Sequence, residues 1–321
     1  MNRTGLIYHP DYLLHDTGPG HFERAARLEA IMDGLQKSPL YQDLILIDPR
    51  LASLEAIERV HSPEYVRHVK EVCEGGYDYL DSPDTPVSPR SYHAALLAAG
   101  GVLAAADAVM SGRIDNAFCA VRPPGHHAER STGMGFCLFN NVAVAARHLQ
   151  AVHGLSRILV VDWDVHHGNA TQHTFEDDKD IFYFSVHQWP LYPGTGARSE
   201  RGAGAARGAT LNAPMGPGSG DEEYLRAMRH ELIPAAEQFA PQFVLISAGF
   251  DAHQDDPLSA TRVTSGGYGQ MTRCVLQIAR QCCRGRVVSM LEGGYHLPAL
   301  VESVLEHISA LMDLPPLSSS S

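Results

Sequence analysis

The segment Val160–Gly168, with the sequence VVDWDVHHG, constrains this chain more than any other stretch. Its first half continues an apolar run that begins at Ile158, and a run rich in β-branched residues is typical of a buried strand. Asp162, Asp164 and His166 follow at alternate positions. Because alternate side chains of an extended chain share one face, the spacing predicts that all three project together where the strand ends.

Two carboxylates and an imidazole on one face of a strand are costly unless a cation compensates their charge. For a lone Asp-x-His pair, a salt bridge to a neighbouring helix would be the simpler explanation. Here the pattern is Asp-x-Asp-x-His-His-Gly, and two further ionisable clusters elsewhere in the chain match it. The sequence therefore predicts a divalent metal ion at the end of this strand.

Segments typical of strands and of helices alternate along the chain, which indicates a mainly parallel sheet covered by helices on both faces. Residues 189–217 are rich in glycine and proline and are predicted to be irregular. Residues 221–239 are predicted to form a helix that is kinked at Pro234. No repeat or linker divides the chain, so we predict one catalytic domain over residues 1–313 and a disordered tail over residues 314–321.

Composition narrows the classes of function. The chain has 321 residues and a net charge of −12, which argues against direct binding of nucleic acid and weakly favours cationic substrates. We identify no apolar run of about 18 residues and no signal-peptide core, so we predict no membrane span. The six cysteines show neither a CxxC motif nor a framework spacing, and they predict reduced thiols in a cytoplasmic protein.

Two adjacent histidines, His126 and His127, follow a predicted strand and the sequence RPPG. Two prolines and a glycine fix the backbone there, so the two rings are expected to be held in place. A pair of surface loop histidines is the simpler explanation. General acid–base catalysis suits the pattern better, because imidazole titrates near neutral pH.

Two more clusters follow predicted strands, at AGFDAH and at LEGGY. Asp251, in the first, could complete a three-ligand catalytic metal site with Asp164 and His166, or it could cap a helix. Tyr295, in the second, could donate a hydrogen bond to an oxyanion, or it could be an ordinary core tyrosine.

Together these motifs resemble the histone deacetylase superfamily, specifically the bacterial class II-like histone deacetylase-like amidohydrolases. The resemblance runs from about Leu6 to Met312 and rests, in this order, on RPPGHHA, GFCLFNNVAVAA, DWDVHHGN, YPGTG, SAGFDAH and LEGGY. It implies the arginase–deacetylase α/β fold, a single domain with a mainly parallel eight-stranded sheet. It also implies an amidohydrolase that removes acetyl or other acyl groups from lysine side chains of proteins or peptides.

The resemblance also implies roles for the motif residues. The ligands of a catalytic zinc ion would be Asp164, His166 and Asp251. The catalytic side chains would be His126, His127, Asp162, Asn169 and Tyr295. Among these, His127 would be the general base and then the acid, matched with Asn169. His126 would be its electrostatic partner, hydrogen-bonded to Asp162, and Tyr295 would polarise the amide carbonyl.

A further set would bind the substrate, namely Asp84, Gly135, Phe136, Tyr192, Leu258 and Gly294. Phe136 and Tyr192 would wall the acyl-lysine channel, and Asp84 would grip the substrate backbone at the rim. The family also holds a structural monovalent cation, usually potassium. Its ligands here, several of them through backbone carbonyls, would be Asp162, Asp164, His166, Ser185 and Val186.

Three alternatives stay open at this point, and so does the oligomeric state. The same chemistry could act on acetylpolyamines, but Leu258 stands where one polyamine-specific relative has a gatekeeping acid, which favours acyl-lysine. A catalytically inactive acyl-lysine-binding module would be expected to lack His127 or Tyr295, and both are present. An arginase-like ureohydrolase would want a second-metal aspartate where this chain has His167 and Gly168.

Overall fold

Eight strands form one sheet in the computed structural model, which describes residues 1–317. They are β1 (Thr4–Ile7), β2 (Ile45–Ile47), β3 (Asn116–Cys119), β4 (Ile158–Asp162), β5 (Ile181–Gln188), β6 (Thr210–Met215), β7 (Phe243–Ala248) and β8 (Val287–Leu291). Their order across the sheet is β2-β1-β3-β8-β7-β4-β5-β6, and every neighbouring pair is parallel. The predicted single-domain α/β fold is confirmed. Residues 318–321 of the predicted disordered tail lie outside the described part of the chain.

Helices connect the strands and cover both faces of the sheet. They are α1 (Ala26–Lys37), α2 (Leu54–Glu58), α3 (Pro63–Glu74), α4 (Ser91–Met110), α5 (Asn141–His153), α6 (Asn169–Phe175), α7 (Asp221–Ala227), α8 (Ile233–Phe239), α9 (Ser265–Cys283) and α10 (Leu297–Leu311). Helices α1, α9 and α10 pack together as one group, and α4 packs against α5 as another. Short 3-10 turns cover Pro10–Leu14, Pro39–Asp43 and Gly204–Ala206.

The central strands are buried along their whole length because helices cover both of their faces. All five residues of β4, ILVVD, are buried, and so are all five of β8, VVSML. Asp162, the last residue of β4, lies opposite Ser185 of β5 and Ser247 of β7. The carboxyl ends of these strands therefore lie level, and the predicted clusters follow them at one edge of the sheet.

Strand β6 corrects the prediction that residues 189–217 are wholly irregular. It pairs with β5 alone, at the edge of the sheet, and Pro214 lies within it. Proline is tolerated on an edge strand, since its missing N–H can face away from the neighbouring strand. The helix predicted over residues 221–239 is interrupted as expected: a π-helical turn at Met228–Leu232 separates α7 from α8, with Pro234 in the first turn of α8.

Helix α4 corrects the prediction that the chain has no long apolar run. Among the described residues it is long and apolar enough to cross a membrane by length and composition, with a mean hydropathy of 1.6 over the best window. Its residues from Ala94 to Ala106 are all apolar or glycine, and polar residues stand only near its two ends. In the structure 72% of that window is buried, and Gly100 packs directly on the backbone at Arg50 and Ala52.

Candidate active site

Three side chains converge beyond the carboxyl ends of β4 and β7. The Nδ1 atom of His166 lies 3.0 Å from Asp164 Oδ1 and 3.2 Å from Asp251 Oδ2. One ligand atom from each residue lies within 4.8 Å of the other two. Backbone N–H groups orient the carboxylates, because Val165 donates to Asp251 and Gly293 donates to Asp164. The structure thus brings together the three residues that the sequence predicted as metal ligands.

Two glycines make room for these carboxylates. A Cβ atom at Gly293 would lie 2.1 Å from Asp251 Oδ2, and one at Gly249 would lie 2.2 Å from Asp164 Oδ2. Both distances are far below van der Waals contact, so a larger residue at either position would displace the carboxylate. The glycines of AGFDAH and LEGGY therefore set the spacing of the candidate metal ligands.

The charge of the site is of the kind that a cation would compensate. Four buried carboxylates meet here, those of Asp162, Asp164, Asp251 and Glu292. Burial raises the pKa of Glu292 to about 7, and burial together with the charge of Asp164 raises the pKa of Asp251 to about 7. Buried carboxylates become less costly when a cation neutralises them. One imidazole and two carboxylates form a three-ligand set that fits zinc and leaves room for water and substrate.

Asp162 faces a different partner from Asp164. Its Oδ2 atom lies 3.0 Å from His126 Nδ1 and accepts a hydrogen bond of 3.1 Å from the Tyr183 hydroxyl. Strand β4 ends at Asp162, so strict alternation stops there, and Asp164 and His166 turn toward Asp251. The predicted common face is therefore correct for Asp164 and His166 but not for Asp162. Ser185 and Val186, on β5, lie next to Asp162, at the place where the family resemblance implies a monovalent cation.

The two adjacent histidines have different partners. The carboxylate of Glu292 accepts hydrogen bonds from the backbone N–H groups of Gly125 and His126, which fixes the turn that carries both rings. His127 Nδ1 lies 2.7 Å from Asn169 Oδ1. The Asn169 amide in turn donates to Glu129 at 2.6 Å. The amide oxygen of Asn169 is therefore the atom that faces His127, and His127 Nδ1 carries the proton.

These partners give the two imidazoles opposite pKa shifts. Burial lowers the pKa of His126, but the charges of Asp162 and Asp164 outweigh it and raise the pKa to about 10. Burial, followed by the positive charges of His126 and His166, lowers the pKa of His127 well below 6.5. A neutral His127 beside a protonated His126 can accept a proton at Nε2, as a general base must.

An apolar cavity of about 310 Å³ leads to these groups. Its lining residues are Asp84, Pro124, His126, His127, Gly135, Phe136, His166, Leu191, Tyr192, Leu258, Gly293 and Tyr295. The Tyr192 ring stands edge-on to His127, with centroids 5.2 Å apart, and Phe136 stands edge-on to Tyr295, with centroids 6.0 Å apart. The structure thus brings five of the six predicted substrate-binding residues to one cavity.

The backbone at Gly135 and Phe136 is left-handed, with φ of 56° and 69°. A Cβ atom at Gly135 would lie 2.4 Å from the His127 ring, so only glycine permits this approach. Phe136 is a non-glycine residue in the left-handed region, a conformation that costs energy and is found often at ligand sites. The Asp84 carboxylate lies 3.3 Å from both the Gly135 amide nitrogen and the Tyr192 hydroxyl, and so links the two walls at the rim.

Gly294, the sixth predicted residue, lies behind the wall of the cavity. Its carbonyl accepts a hydrogen bond of 2.7 Å from Arg27, whose guanidinium also lies 5.0 Å from the centre of the Tyr295 ring. The Tyr295 backbone N–H donates to Asp256 at 2.7 Å. Burial raises the pKa of Tyr295 well above 10, so its phenol stays protonated and can donate a hydrogen bond.

The sequence did not single out several residues that hold these groups, namely Arg27, Glu129, Tyr183, Asp256 and Glu292. Glu292 carried a usable signal, because an ionisable residue directly after a buried apolar strand needs a partner. The other four come from distant parts of the chain, and their contacts depend on the fold. His167 turns away from the metal ligands toward Thr195, at 2.8 Å, and so contributes to the loop that carries Tyr192.

Comparison with known proteins gives consistent matches. The family described as "Histone deacetylase domain" matches residues 21–311. A "Probable deacetylase" of Archaeoglobus fulgidus is 43% identical over 295 residues, covering 91% of this chain and 81% of that protein. Human "Polyamine deacetylase HDAC10" is 41% identical over 333 residues, covering 98% of this chain but 49% of that protein. The crystal structure of an HDA15 HD domain superposes with a TM-score of 0.93 at 38% identity, covering 99% of this chain and 90% of that one.

Proposed function

The chain belongs to the histone deacetylase family, and we propose that it is a zinc-dependent amidohydrolase that removes acetyl or related acyl groups from lysine side chains of proteins or peptides. Family membership makes it a hydrolase of the deacetylase type. One observation carries the proposal for zinc and for the catalytic residues: Asp164, His166 and Asp251 converge beside a cavity that His127 and Tyr295 also line.

The proposed chemistry divides among a few groups. Zinc, when bound by Asp164, His166 and Asp251, supplies a Lewis acid that polarises the amide carbonyl and acidifies water. His127 Nε2 takes the proton of the attacking water, since Nδ1 already donates to Asn169. Tyr295 donates a hydrogen bond to the oxyanion that develops on the substrate carbonyl. His127 then passes its proton to the departing amine, and the carboxylate and the amine leave.

His126 supports this cycle through its charge. Because it is hydrogen-bonded to the buried Asp162, it stays protonated and keeps its neighbour His127 neutral at rest. We also propose that a monovalent cation, with potassium as the first choice, is held near Asp162 and Ser185. The proposal is supported by the excess of buried negative charge at this end of β4.

The cavity mouth supports acyl-lysine in a polypeptide as the substrate. Leu258 lines the cavity there, and its backbone N–H donates to Asp256, which also holds Tyr295. An acetylpolyamine carries an ammonium group beyond the amide, which an acetyl-lysine side chain lacks, and an apolar side chain offers that group no partner. Asp84, at the same rim, can accept hydrogen bonds from the backbone N–H groups of a bound peptide.

Acetylpolyamine deacetylation is the second candidate, because the human, mouse and rat HDAC10 relatives are named polyamine deacetylases. A comparison of kcat/KM on acetyl-lysine peptides, N-acetylputrescine and N-acetylspermidine distinguishes the two. The peptides should be preferred by at least tenfold. A preference for either polyamine would overturn the assignment of the substrate while leaving the deacetylase chemistry intact.

Replacement of Leu258 by Glu tests the role of this position. The new carboxylate should meet the secondary ammonium of the polyamine, so the ratio of kcat/KM for N-acetylspermidine to that for the peptide should rise about tenfold or more. Leu258→Gln is the matched neutral control and should move the ratio far less. An unchanged ratio in Leu258→Glu would show that position 258 does not contact this part of the substrate.

A further inference from the structure

A second group of metal-binding side chains lies outside the active site, on the neighbouring helices α4 and α5. Asp107 is on α4, and His148 and His153 are on α5. The Nε2 atoms of the two histidines lie 2.8 Å and 2.7 Å from one atom, Asp107 Oδ1. One ligand atom from each residue lies within 4.8 Å of the other two. The three side chains therefore already converge on a single point.

The exposure of the three side chains suits the capture of an ion from solvent. His148 and His153 are 12% and 21% exposed, so their rings are largely held by packing, whereas Asp107 is 51% exposed. An aspartate carboxylate is ionised at neutral pH, and neutral imidazole is the form that binds metals.

The position of the group in the fold also favours a cation. Asp107 lies in the last turn of α4, which ends at Met110, and His153 is the last residue of α5. The carboxyl end of a helix carries partial negative charge. The active site adjoins the opposite end of α5, where Asn141 donates to Pro123 just before the catalytic histidines. Twelve residue steps of helix at 1.5 Å put the two ends about 18 Å apart.

We propose that Asp107, His148 and His153 form a second metal site, which binds a divalent transition-metal ion such as zinc and joins α4 to α5. Two imidazoles and a carboxylate suit zinc, cobalt and nickel, with solvent completing the coordination shell. Each histidine binds the ion through the lone pair of Nε2, as the neutral tautomer that carries its proton on Nδ1. Because the ligands come from two packed helices, the ion stabilises the native state by mass action.

The test uses tag-free enzyme that already holds its catalytic metal. Zinc is titrated calorimetrically, and bound metal is counted after gel filtration. The wild type should bind one equivalent beyond the catalytic ion, and its Tm should rise with zinc concentration. His148→Ala and His153→Ala should each lose that equivalent and the rise in Tm, while deacetylase activity and the first equivalent remain.

His93→Ala is the matched control. His93 is also on α4 and lies 2.8 Å from Asp11 Oδ2, whereas the other histidine near that carboxylate, His9, lies 3.8 Å from Oδ1, so the two rings do not converge on one atom. The control should keep the second equivalent. Asp107→Asn, at a half-exposed position, replaces the histidine variants if they do not fold. A wild type that binds no second equivalent, or variants that bind it as the wild type does, would overturn the proposal.

Discussion

The hydroxyl group of Tyr295 is expected to act on the transition state more than on the bound substrate. Tyr295→Phe should lower kcat about 100- to 1000-fold with little change in KM, because a lost oxyanion donor costs roughly that much. The ring should stay in place, since its packing on Phe136 and its contact with the Arg27 guanidinium do not need the hydroxyl. Steady-state kinetics on one acetyl-lysine peptide measures the effect.

Tyr192→Phe provides the matched control for this prediction. It removes a phenol from the same cavity, but one that contacts Asp84 at the rim rather than the region of the metal ligands. A loss of kcat below about tenfold is expected. If the Tyr295 variant loses no more activity than the Tyr192 variant, Tyr295 has a structural role only.

Asn169 is expected to keep the pKa of His127 low by offering it a neutral oxygen. Asn169→Asp would place a carboxylate beside His127 Nδ1. The negative charge would stabilise the protonated ring, so the pKa of His127 should rise. As pH falls, His127 of the free enzyme would then become protonated at a higher pH than in the wild type. The acidic limb of the kcat/KM profile should therefore move to higher pH by at least one unit.

Glu129 requires a compensating change in this experiment. The Glu129 carboxylate accepts a hydrogen bond of 2.6 Å from the Asn169 amide, so a carboxylate at position 169 would face a second carboxylate. Asn169→Asp combined with Glu129→Gln restores a donor to that contact and isolates the new charge on His127. Glu129→Gln alone serves as the control. An acidic limb that stays in place in the double variant would contradict the assignment of His127 as the base.

At the scale of the element, helix α4 is packed so closely that a larger side chain at one of its glycines should lower the stability of the protein. A glycine-to-alanine change in a helix ordinarily stabilises by up to about 1 kcal/mol. At Gly100 the added Cβ would lie 1.7 Å from the Arg50 carbonyl oxygen. Gly100→Ala should therefore destabilise the protein by about 1–3 kcal/mol, which is the usual cost of overpacking. Denaturant unfolding measures the change.

Gly266→Ala, in the first turn of α9, is the control for that variant. Its Cβ would meet only the Thr264 hydroxyl oxygen, at 3.8 Å, an ordinary contact. This variant should be as stable as the wild type or more stable. Equal effects of the two substitutions would mean that the chain at Arg50 and Ala52 moves away from α4 without cost.

The elements that the sequence predicted well are those whose pattern is local. Strands β4 and β8 are recognisable in the sequence as short β-branched runs. Strand β6 was missed because TLNAPM has no such pattern and is held by pairing with β5. Helix α1 begins at Ala26, and just before it Glu23 lies buried against Arg122. These two residues are 99 positions apart, so their ion pair leaves no local trace in the sequence.

Within the site the same distinction holds. Motif residues such as Asp164, His166 and Asp251 were predicted because their residue types and their positions after strands are visible in the sequence. The groups that orient them were not predicted, because a carboxylate such as Asp256 acquires its role only when the loop carrying Tyr295 folds against it. Sequence thus predicts the reacting groups better than it predicts their supports.

At the scale of the whole molecule, metal removal should lower stability as well as activity. Exhaustive chelation should abolish deacetylation, zinc should restore it, and Tm should fall because the buried carboxylates lose their compensating cation. Full activity with metal content confirmed as nil would contradict the assignment of Asp164, His166 and Asp251 as ligands of a catalytic ion.

The loss of stability on metal removal should also depend on pH. Burial raises the pKa of Glu292 to about 7, so the metal-free native state binds more protons than the unfolded state between about pH 4.5 and 7. Its stability should therefore fall as pH rises through that range. The difference in Tm between the metal-loaded and the metal-free protein should be larger at pH 7.5 than at pH 5. Scanning calorimetry of both forms measures it.

The position of β8 in the sheet has a consequence for biosynthesis. This strand lies between β3, which leads to the catalytic histidines, and β7, which leads to Asp251. While the ribosome is still making the first 286 residues, β3 and β7 each lack a neighbour, and the two parts of the site belong to separate halves of an open sheet. Such unpaired edges invite mispairing in a nascent chain. The candidate site is therefore complete only after β8 has been made and has closed the gap between strands made long before it.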